Sequence, residues 1–347
     1  MVKREIFGLN SNNQIIDKFT LIGEAGVEVE IITLGAVIRA IRVPNELDEM
    51  VDIVLGYDTP QEYLDHNYFF GAMIGRNSNR IENARFQIGD TEFQLEKNDG
   101  ENNLHSGAHG MHQKLFQLEE ISQYDTSVTL SCVMEHLEDG FPGRLVAKIC
   151  YQLTSDNTLN IDYTAICDQN TIINFTNHSY FNLSGHDSGN AEDQEVKIYA
   201  DAFTPIREIG LIPTGEIRQV EHTPMDFRVM KAIELDIDDP YPQLTYCGGY
   251  DHNYAITGEG FRIMAEAKSG KTGIHMIAFT DCPGMQFYAG NFISSHTGKN
   301  KAVYGNRSGY CFESQQYPNA VNCEAFPDPV QKADTEFRSR TSYQFLT

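Results

Sequence analysis

The feature of this sequence that most constrains its fold is a regular alternation of apolar and polar residues. In VTLSCVM, residues 128–134, the apolar side chains fall at every second position, at Val128, Leu130, Cys132 and Met134. The same period of two recurs over residues 145–153 and 159–167. Successive side chains of a strand point to opposite faces, so this period predicts strands that bury one face, as in antiparallel sheets. The chain is therefore predicted to be an all-β protein.

Strand signals continue along the chain, whereas helix signals are few. Further strands are predicted at residues 27–35, 275–281, 285–290 and 342–346. Gly89-Asp90 lies between two short alternating runs and predicts a two-residue hairpin. One short helix is predicted at residues 59–66, TPQEYLDH, which opens on a capping box with proline at the first turn. The acidic run ELDIDDPYPQ, residues 234–243, is interpreted as a solvated loop.

The sequence contains no sign of a domain boundary. No repeat, low-complexity tract or linker rich in Pro, Gly and Ser divides the 347 residues. Sandwiches of ~200 residues or more often form one domain. We therefore expect a single domain over residues 1–347, built as a large antiparallel β-sandwich with few short helices.

The charge of the chain limits its partners. Asp and Glu number 49 against 26 Lys and Arg, for a formal net charge of −23. This charge repels nucleic acid and anionic membranes, so neither is an expected partner. It also favours a neutral small molecule over a phosphorylated one. A role of the acidity in solubility alone remains an open alternative.

Compartment is indicated by the termini and the cysteines. The first residues, MVKREIFGLNSNNQ, lack the apolar core of a secretory signal, and no apolar run approaches the ~18 residues of a membrane span. The seven cysteines are scattered and form no CxxC pair, which favours reduced thiols over a disulfide frame or a zinc site. We expect a cytoplasmic protein that is a monomer or a homodimer.

Five segments concentrate polar residues of kinds that bind or react. They are GRNSNRI (75–81), NLHSG (103–107), NHSYFN (177–182), GGYDHNY (248–254) and GYCFESQQ (309–316). Each also has a structural interpretation. Arg80 can be a surface ion-pair residue, Asp251 can stabilise a turn after two glycines, and Glu313 can form a buried salt bridge.

The longest polar stretch surrounds one histidine. NFTNHSYFNLSG, residues 174–185, sets His178 among hydroxyl and carboxamide side chains and between aromatic residues. Aromatic faces beside hydrogen-bonding groups suit a sugar, whose ring has an apolar C–H face and a rim of hydroxyls. We interpret the stretch as a sugar platform around a proton donor.

Other chemistries find less support. His105, His109 and His112 have spacings that a metal-binding helix uses, but two glycines oppose a helix there, so no metal is predicted. No dinucleotide, P-loop or GxSxG motif occurs, so no cofactor is predicted. What remains is His178 and a carboxylate, a general acid and a general base. Such a pair suits the opening and reclosure of a pyranose ring.

Taken together and in this order, the segments resemble the galactose mutarotase (aldose 1-epimerase) family across nearly the whole chain. NHSYFNL, GRxxNRI, LHxG, GYDHN, PGMQFYAGN and FESQ carry the resemblance, and DGFPGRL and LIPTGE agree with it. It implies the large antiparallel sandwich already predicted, with the sugar in an open cleft and no cofactor. It implies interconversion of the anomers of a neutral aldohexose such as galactose or glucose.

The resemblance also implies roles for individual residues. Glu313 would be the base at the C1 hydroxyl and His178 the acid at the ring oxygen. His105 would lie near the ring oxygen and polarise it. The sugar hydroxyls would be held by Asn79, Arg80, Asp251 and Gln286, with Tyr180 in the aromatic platform. We expect nearby negative charge to raise the pKa of His178, so that activity falls above neutral pH.

The sequence departs from the family at the rim. After LHSG it reads AHGMHQKLF where the family has other residues, and it contains no Trp. This leaves the sugar preference and the role of His109 and His112 open.

Three alternatives remain. A hexose-6-phosphate epimerase of the same fold would need a basic cluster. A glycoside hydrolase using Asp251 and Glu313 as its carboxylates would leave His178 without a role. A non-catalytic sugar-binding protein would need no matched histidine and glutamate.

Overall fold

The computed structural model describes all 347 residues, and its regular secondary structure consists mostly of strands. The first strands are β1 (Val2–Leu9), β2 (Ile15–Ile22), β3 (Glu28–Ile32), β4 (Ile38–Pro44), β5 (Met50–Asp52), β6 (Met73–Ile74), β7 (Arg80–Ile81), β8 (Arg85–Ile88), β9 (Thr91–Gln94) and β10 (Asn103–Leu104). The middle of the chain forms β11 (Gln117–Ser122), β12 (Ser127–Met134), β13 (Leu145–Leu153), β14 (Thr158–Cys167), β15 (Thr171–Ile172), β16 (Thr176–Asn177), β17 (Glu195–Ile198), β18 (Ala200–Phe203), β19 (Arg218–Gln219) and β20 (Lys231–Ala232). The last strands are β21 (Asp251–Ile256), β22 (Arg262–Lys268), β23 (His275–Thr280), β24 (Gly284–Tyr288), β25 (His296–Thr297), β26 (Val303–Tyr304), β27 (Cys311–Gln315), β28 (Val330–Gln331) and β29 (Phe337–Leu346).

Helices are short. The two α-helices are α1 (Pro60–Asp65) and α2 (Pro242–Cys247), and single 3-10 turns occur at Glu82–Ala84, Met111–Gln113, Glu138–Gly140, Ile233–Leu235, Lys299–Lys301 and Ala320–Asn322. The predicted capping box begins α1: the Thr59 side chain accepts from the backbone N–H of Glu62, whose carboxylate accepts from the backbone N–H of Thr59. None of the helices is long and apolar enough to cross a membrane.

Three larger sheets contain most of these strands, and the others form two-stranded pairs. The orders of the larger sheets are β1-β2-β3-β4-β5, then β11-β12-β13-β14-β29-β23-β22-β17-β20, and β19-β18-β21-β24-β27. Neighbours in the nine-stranded sheet are antiparallel, and the register of β13 on β14 runs from Leu145 opposite Cys167 to Leu153 opposite Leu159. The predicted all-β antiparallel sandwich and the strands predicted from alternation are confirmed. The hairpin at Gly89-Asp90 is confirmed as well, between β8 and β9.

The nine-stranded sheet packs face to face on the sheet that ends in β27. The Tyr343 hydroxyl of β29 donates to the backbone carbonyl of Phe312 in β27 at 3.1 Å, and Phe181 packs on the Tyr343 ring between the layers. The largest hydrophobic cluster contains 60 buried residues and takes members from all three sheets, from Val2 to Phe345. One face of β27 therefore belongs to the core, which leaves the other face for the site.

The prediction of a solvated loop at residues 234–243 is wrong in part. Within it Ile237 and Gln243 are buried, and Pro242 begins α2. Gln243 bonds both backbone groups of Ile206, accepting from its N–H at 2.7 Å and donating to its carbonyl at 3.0 Å. Proline at the first turn and Gly248 in the left-handed conformation after the last turn are helix signals that the acidic composition obscured.

All seven cysteines are free thiols, and five of them are buried. The expectation of scattered, unpaired thiols is confirmed.

Candidate active site

One cavity of about 480 Å³ contains all of the residues to which the family resemblance assigned a role. Such a volume falls in the range of ~300–1,000 Å³ that is usual for small-molecule sites. Eight of its lining residues were named from sequence: Asn79, Arg80, His105, His178, Tyr180, Asp251, Gln286 and Glu313. The other eight are Asn67, Tyr68, Phe69, Asp99, Leu104, Leu211, Tyr288 and Phe292.

The floor of the cavity is one face of the three strands β21, β24 and β27. Gln286 lies opposite Glu313 on one side and opposite Asn253 on the other. Because side chains alternate, Asp251, Gln286 and Glu313 share this face, while Phe287 and Phe312 point into the core. Asp251 begins β21 and is buried, so it is not the turn residue that its two preceding glycines suggested.

His178 enters the cavity from the segment that follows β16. Its backbone is fixed on both sides, by its N–H donating to Ala72 at 2.9 Å and its carbonyl accepting from Gly71 at 3.0 Å. Tyr180 stacks on the imidazole with ring centres 5.0 Å apart. Nε2 of His178 lies 3.5 Å from Oε2 of Glu313, so the two predicted proton-transfer groups are neighbours.

Of the sugar platform predicted at residues 174–185, only His178 and Tyr180 line the cavity, so the interpretation is wrong for the small polar side chains around His178. The Asn174 amide donates to the carbonyl of Ser78 and accepts from the N–H of Gln316. The Asn177 amide donates to the carbonyl of Gly71 and accepts from Ser179. Strands of two residues leave many buried backbone groups unpaired, and these side chains satisfy them.

His105 is held as a neutral imidazole. Its Nδ1 accepts the backbone N–H of Asn79 at 3.1 Å, so in the neutral ring the proton sits on Nε2. Protonation of Nδ1 would set two N–H groups against each other. Burial, together with the neighbouring His178, lowers the pKa of His105 well below its ordinary value. His105 is therefore suited to donate one hydrogen bond and unsuited to transfer protons.

The same tautomer bears on metal binding. The nearest polar atoms of His105, His178 and Glu313 lie within 4.8 Å of one another, a set that metals can use. A metal needs a lone pair, however, and Nε2 of His105 carries a hydrogen instead. His109 is exposed and His112 packs edge-on against Phe69, so the histidine triplet noted in the sequence does not converge.

Burial changes the protonation of the reacting pair. It raises the pKa of Glu313 well above its usual range, and the nearby Asp251 carboxylate adds to the effect. Burial lowers the pKa of His178 to about 3. The expectation that its pKa is raised is therefore wrong for the free protein. The raised pKa of Glu313 also weakens the negative charge that could hold an imidazolium beside it.

A charged network forms the wall beside the floor. Nε of Arg80 donates to Asp99 at 2.8 Å, and its Nη1 lies 3.9 Å from Asp251. Gln286 donates to the other oxygen of Asp251 at 2.7 Å. Arg80 is thus a buried ion-pair residue that also faces the cavity. It is the one arginine or lysine among the lining residues, beside three carboxylates.

Comparison with known proteins decides the family. The aldose 1-epimerase family model matches residues 17–344. Galactose mutarotase of Sus scrofa is 38% identical over 347 residues, covering 99% of this chain and 98% of its own. The chain belongs to the aldose 1-epimerase family. The aldose 1-epimerase of Escherichia coli K12 is 33% identical over 333 residues, with 94% of each chain covered.

Solved structures of the aldose 1-epimerase family agree with this assignment. Galactose 1-epimerase from Lactobacillus acidophilus superimposes with a TM-score of 0.87 at 26% identity, covering 100% of this chain and 98% of its own. An aldose epimerase homologue from C. elegans gives the same TM-score and identity over 94% of this chain and 98% of its own. The family resemblance inferred from the short motifs is confirmed.

Several residues that line the cavity were not predicted from the sequence motifs. Tyr288 was findable, since it follows Gln286 by two positions on the same strand face. Phe292 lies one turn further and stacks on Tyr288 at 6.1 Å. Phe69 and Asp99 come from loops and carry no local signal. Phe69 nonetheless contacts His105 and His178, at ring-centre distances of 4.9 and 5.6 Å.

Proposed function

We propose that this chain is an aldose 1-epimerase that interconverts the α and β anomers of a neutral aldohexose such as galactose or glucose. The observation that carries the proposal is the His178–Glu313 pair, 3.5 Å apart at the floor of a cavity of sugar-binding character. Anomerisation through the open chain removes one proton and adds another, and it leaves the catalyst unchanged. One imidazole and one carboxylate are sufficient for it.

The ring-opening step assigns a role to each group. Ionised Glu313 takes the proton of the C1 hydroxyl, and the C1–O bond to the ring oxygen breaks as protonated His178 gives its proton to that oxygen. C1 becomes an aldehyde. Rotation about C1–C2 and the reverse proton transfers close the ring as the other anomer. His105 donates its Nε2 hydrogen toward the ring oxygen and stays neutral throughout.

The protonation of the free site fits one stage of this cycle. After ring opening Glu313 holds a proton and His178 is neutral, which is the state that burial favours in the free protein. The site is thus suited to the open-chain intermediate. To open the ring, the proton of Glu313 first passes to His178 while the sugar is bound, and hydrogen bonds from the sugar hydroxyls to the carboxylate stabilise the resulting ion pair.

The remaining lining groups would hold the sugar. Arg80, Asp251, Gln286 and Asn79 surround the floor with donors and acceptors for hydroxyls. Tyr180 and the neighbouring aromatic rings would pack on the apolar face of the sugar. All four of these polar side chains can form hydrogen bonds with hydroxyls, which fits a neutral substrate.

The charges of the cavity disfavour the alternative of a hexose 6-phosphate. Arg80 is already paired with Asp99 and Asp251, and no second arginine or lysine lines the cavity. A dianionic phosphate would meet three carboxylates there. Against a non-catalytic binder, the buried His178 and Glu313 side chains lie 3.5 Å apart, a pairing of acid and base that proton transfer needs and binding alone does not.

We also propose one domain over residues 1–347, because the largest core cluster includes residues from Val2 to Phe345. A cytoplasmic location and a monomer or homodimer remain our predictions. Free cysteines support the first of these.

Polarimetry of freshly dissolved α-D-galactose tests the activity. The wild-type protein is expected to speed the approach to equilibrium rotation, and Glu313→Gln to lose about 10²–10⁴-fold in kcat, since general acid–base catalysis contributes that much. Ser314→Ala, next along β27 and facing the core, is the control and should keep the wild-type rate. No acceleration with galactose or glucose, but acceleration with glucose 6-phosphate, would replace the proposal by its alternative.

A further inference from the structure

A buried side chain that does not line the cavity forms hydrogen bonds with two that do. Gln315, the last residue of β27, is fully buried. Its Oε1 accepts from the Asn79 amide at 3.3 Å, and its Nε2 donates to Gln286 at 3.2 Å. Nε2 also donates to the Asn253 carboxamide at 3.0 Å. Both ends of the Gln315 amide are thus occupied.

The orientation of this amide is determined by its neighbours. Oδ1 of Asn79 accepts the backbone N–H of Arg80 at 2.8 Å, so Asn79 must turn its NH₂ toward Gln315. Nε2 of Gln286 faces the Asp251 carboxylate, so Gln286 must turn its oxygen toward Gln315. A side chain between these two groups needs an acceptor on one side and a donor on the other. Glutamine in this one orientation supplies both.

We propose that Gln315 is a positioning residue that fixes the donor and acceptor pattern of the sugar-binding floor. This inference rests on the proposed function. With Gln315 in place, the oxygen of Gln286 is occupied, so Gln286 offers the substrate an N–H and holds Asp251 in position. Asn79 is held in the same way. Gln315 acts through these three residues and does not touch the substrate.

Asn253 is the weaker member of the network. Its Nδ2 is buried without a partner, so its amide can reverse with little further loss. Gln286 has no such freedom, because reversal would set its oxygen against the Asp251 carboxylate. Loss of the Gln315 amide is therefore expected to disturb the orientation of the Gln286 amide and the position of the Asp251 carboxylate.

Gln315→Met keeps the length of the side chain and removes the amide. KM for galactose is expected to rise about tenfold or more while kcat stays within about threefold, because the lost contacts hold substrate in ground state and transition state alike. Ser314→Ala, which loses one buried hydrogen bond of the same strand, to Thr280, controls for a general effect on β27. A KM within about twofold of wild type, or a fall in kcat that accounts for the whole loss in kcat/KM, would overturn the proposal.

A double-mutant cycle tests whether Gln315 acts through Gln286. In the Gln286→Met background the further change Gln315→Met should raise KM by a clearly smaller factor than it does in the wild type, since only the contact with Asn79 is left to lose. Full additivity of the two effects would contradict the inference. If Gln315→Met does not fold, Gln315→Leu is measured by the same criteria, because leucine also removes the acceptor for Asn79 and the donor for Gln286.

Failure of the positioning role can be distinguished from failure of the proposed function. If the wild type anomerises galactose and Gln315→Met behaves like it, the positioning role alone fails. If the wild type anomerises no aldose, the proposed function fails, and the dissociation constant of galactose by calorimetry replaces KM with the same thresholds.

Discussion

The strands of the nine-stranded sheet differ in their burial from those of the sheet β19-β18-β21-β24-β27, which carries the cavity floor and is called the site sheet below. Along β13, every second side chain from Leu145 to Leu153 is buried, and the intervening ones are partly or fully exposed. In β24 and β27 every residue is buried. A strand of the first kind has a core face and a solvent face. A strand of the second kind has two buried faces, and in β27 one of them carries Glu313 and Gln315.

This difference separates stability from function. Polar groups are costly to bury unless they are paired, so a strand that buries them on one face does so at the expense of stability. The pairing observed on that face is nearly complete for Gln315 but not for Glu313, whose Oε2 lacks a partner. Substitutions should accordingly affect catalysis in the site sheet and stability in the nine-stranded sheet.

The largest expected effect is on catalysis, in His178→Gln. Without the imidazole, no group protonates the ring oxygen, and kcat should fall about 10²–10⁴-fold with a small change in KM. Polarimetric kinetics at several galactose concentrations measures both. His112→Phe is the matched control, a buried histidine beside Phe69 that does not line the cavity, and it should keep kcat within about tenfold. An equal fall in kcat in the two variants would show that any substitution of a buried histidine impairs the enzyme, and would contradict a specific role for the imidazole beside Glu313.

The converse effect is expected in the nine-stranded sheet, with Ile149→Ala. Ile149 is fully buried in β13, between Leu130 and Tyr163 of the neighbouring strands. Its truncation should lower the free energy of unfolding by about 2–5 kcal/mol, because it leaves a cavity in a packed core. Urea denaturation gives this value, and kcat and KM of the folded protein should not change. Lys148→Ala, on the exposed face of the same strand, should alter stability by no more than about 0.5 kcal/mol.

The same contrast explains what the sequence could predict. Alternation predicted β12, β13 and β14, because a strand with one solvent-exposed face alternates polar and apolar residues along the sequence. In β24 and β27 every residue is buried, so alternation does not show which face points to the core. Their place in the site was predicted from the resemblance of their motifs. The position of Gln315 on the face of Glu313 followed from the period of two, but its partners Asn79 and Gln286 are far from it in the chain.

Two failures have physical causes of the same kind. The polar residues around His178 looked like a binding surface, but they pair with backbone groups that two-residue strands leave open. The pKa of His178 was expected to rise because of nearby negative charge, from Asp251 or from the acidic chain as a whole. Net charge acts through solvent, whereas burial acts on the imidazole directly and lowers its pKa to about 3. Neither pairing nor burial can be deduced from residue types alone.

The smallest of the expected effects concerns acid stability, and it extends the comparison to the reverse side of the site sheet. His252 in β21 is fully buried beneath Asp251, and burial lowers its pKa to about 3. Between pH 7 and 5 the unfolded chain binds a proton at this position, near its ordinary pKa of ~6.5, and the folded chain does not. Stability is therefore lost as the pH falls through ~6.5, by about 2 kcal/mol at pH 5 from this histidine.

His252→Phe isolates that contribution. Phenylalanine keeps an aromatic ring against Phe203, whose ring centre lies 5.9 Å away, and removes the titrating group. The lost acceptor for the Asp251 N–H lowers stability at both pH values and so cancels from the difference. Urea denaturation at pH 7 and 5 should show a decline smaller than that of the wild type by about 2 kcal/mol. An unchanged decline would mean that His252 takes up a proton without unfolding, and that the site sheet tolerates charge on its core face as the nine-stranded sheet does on its solvent face.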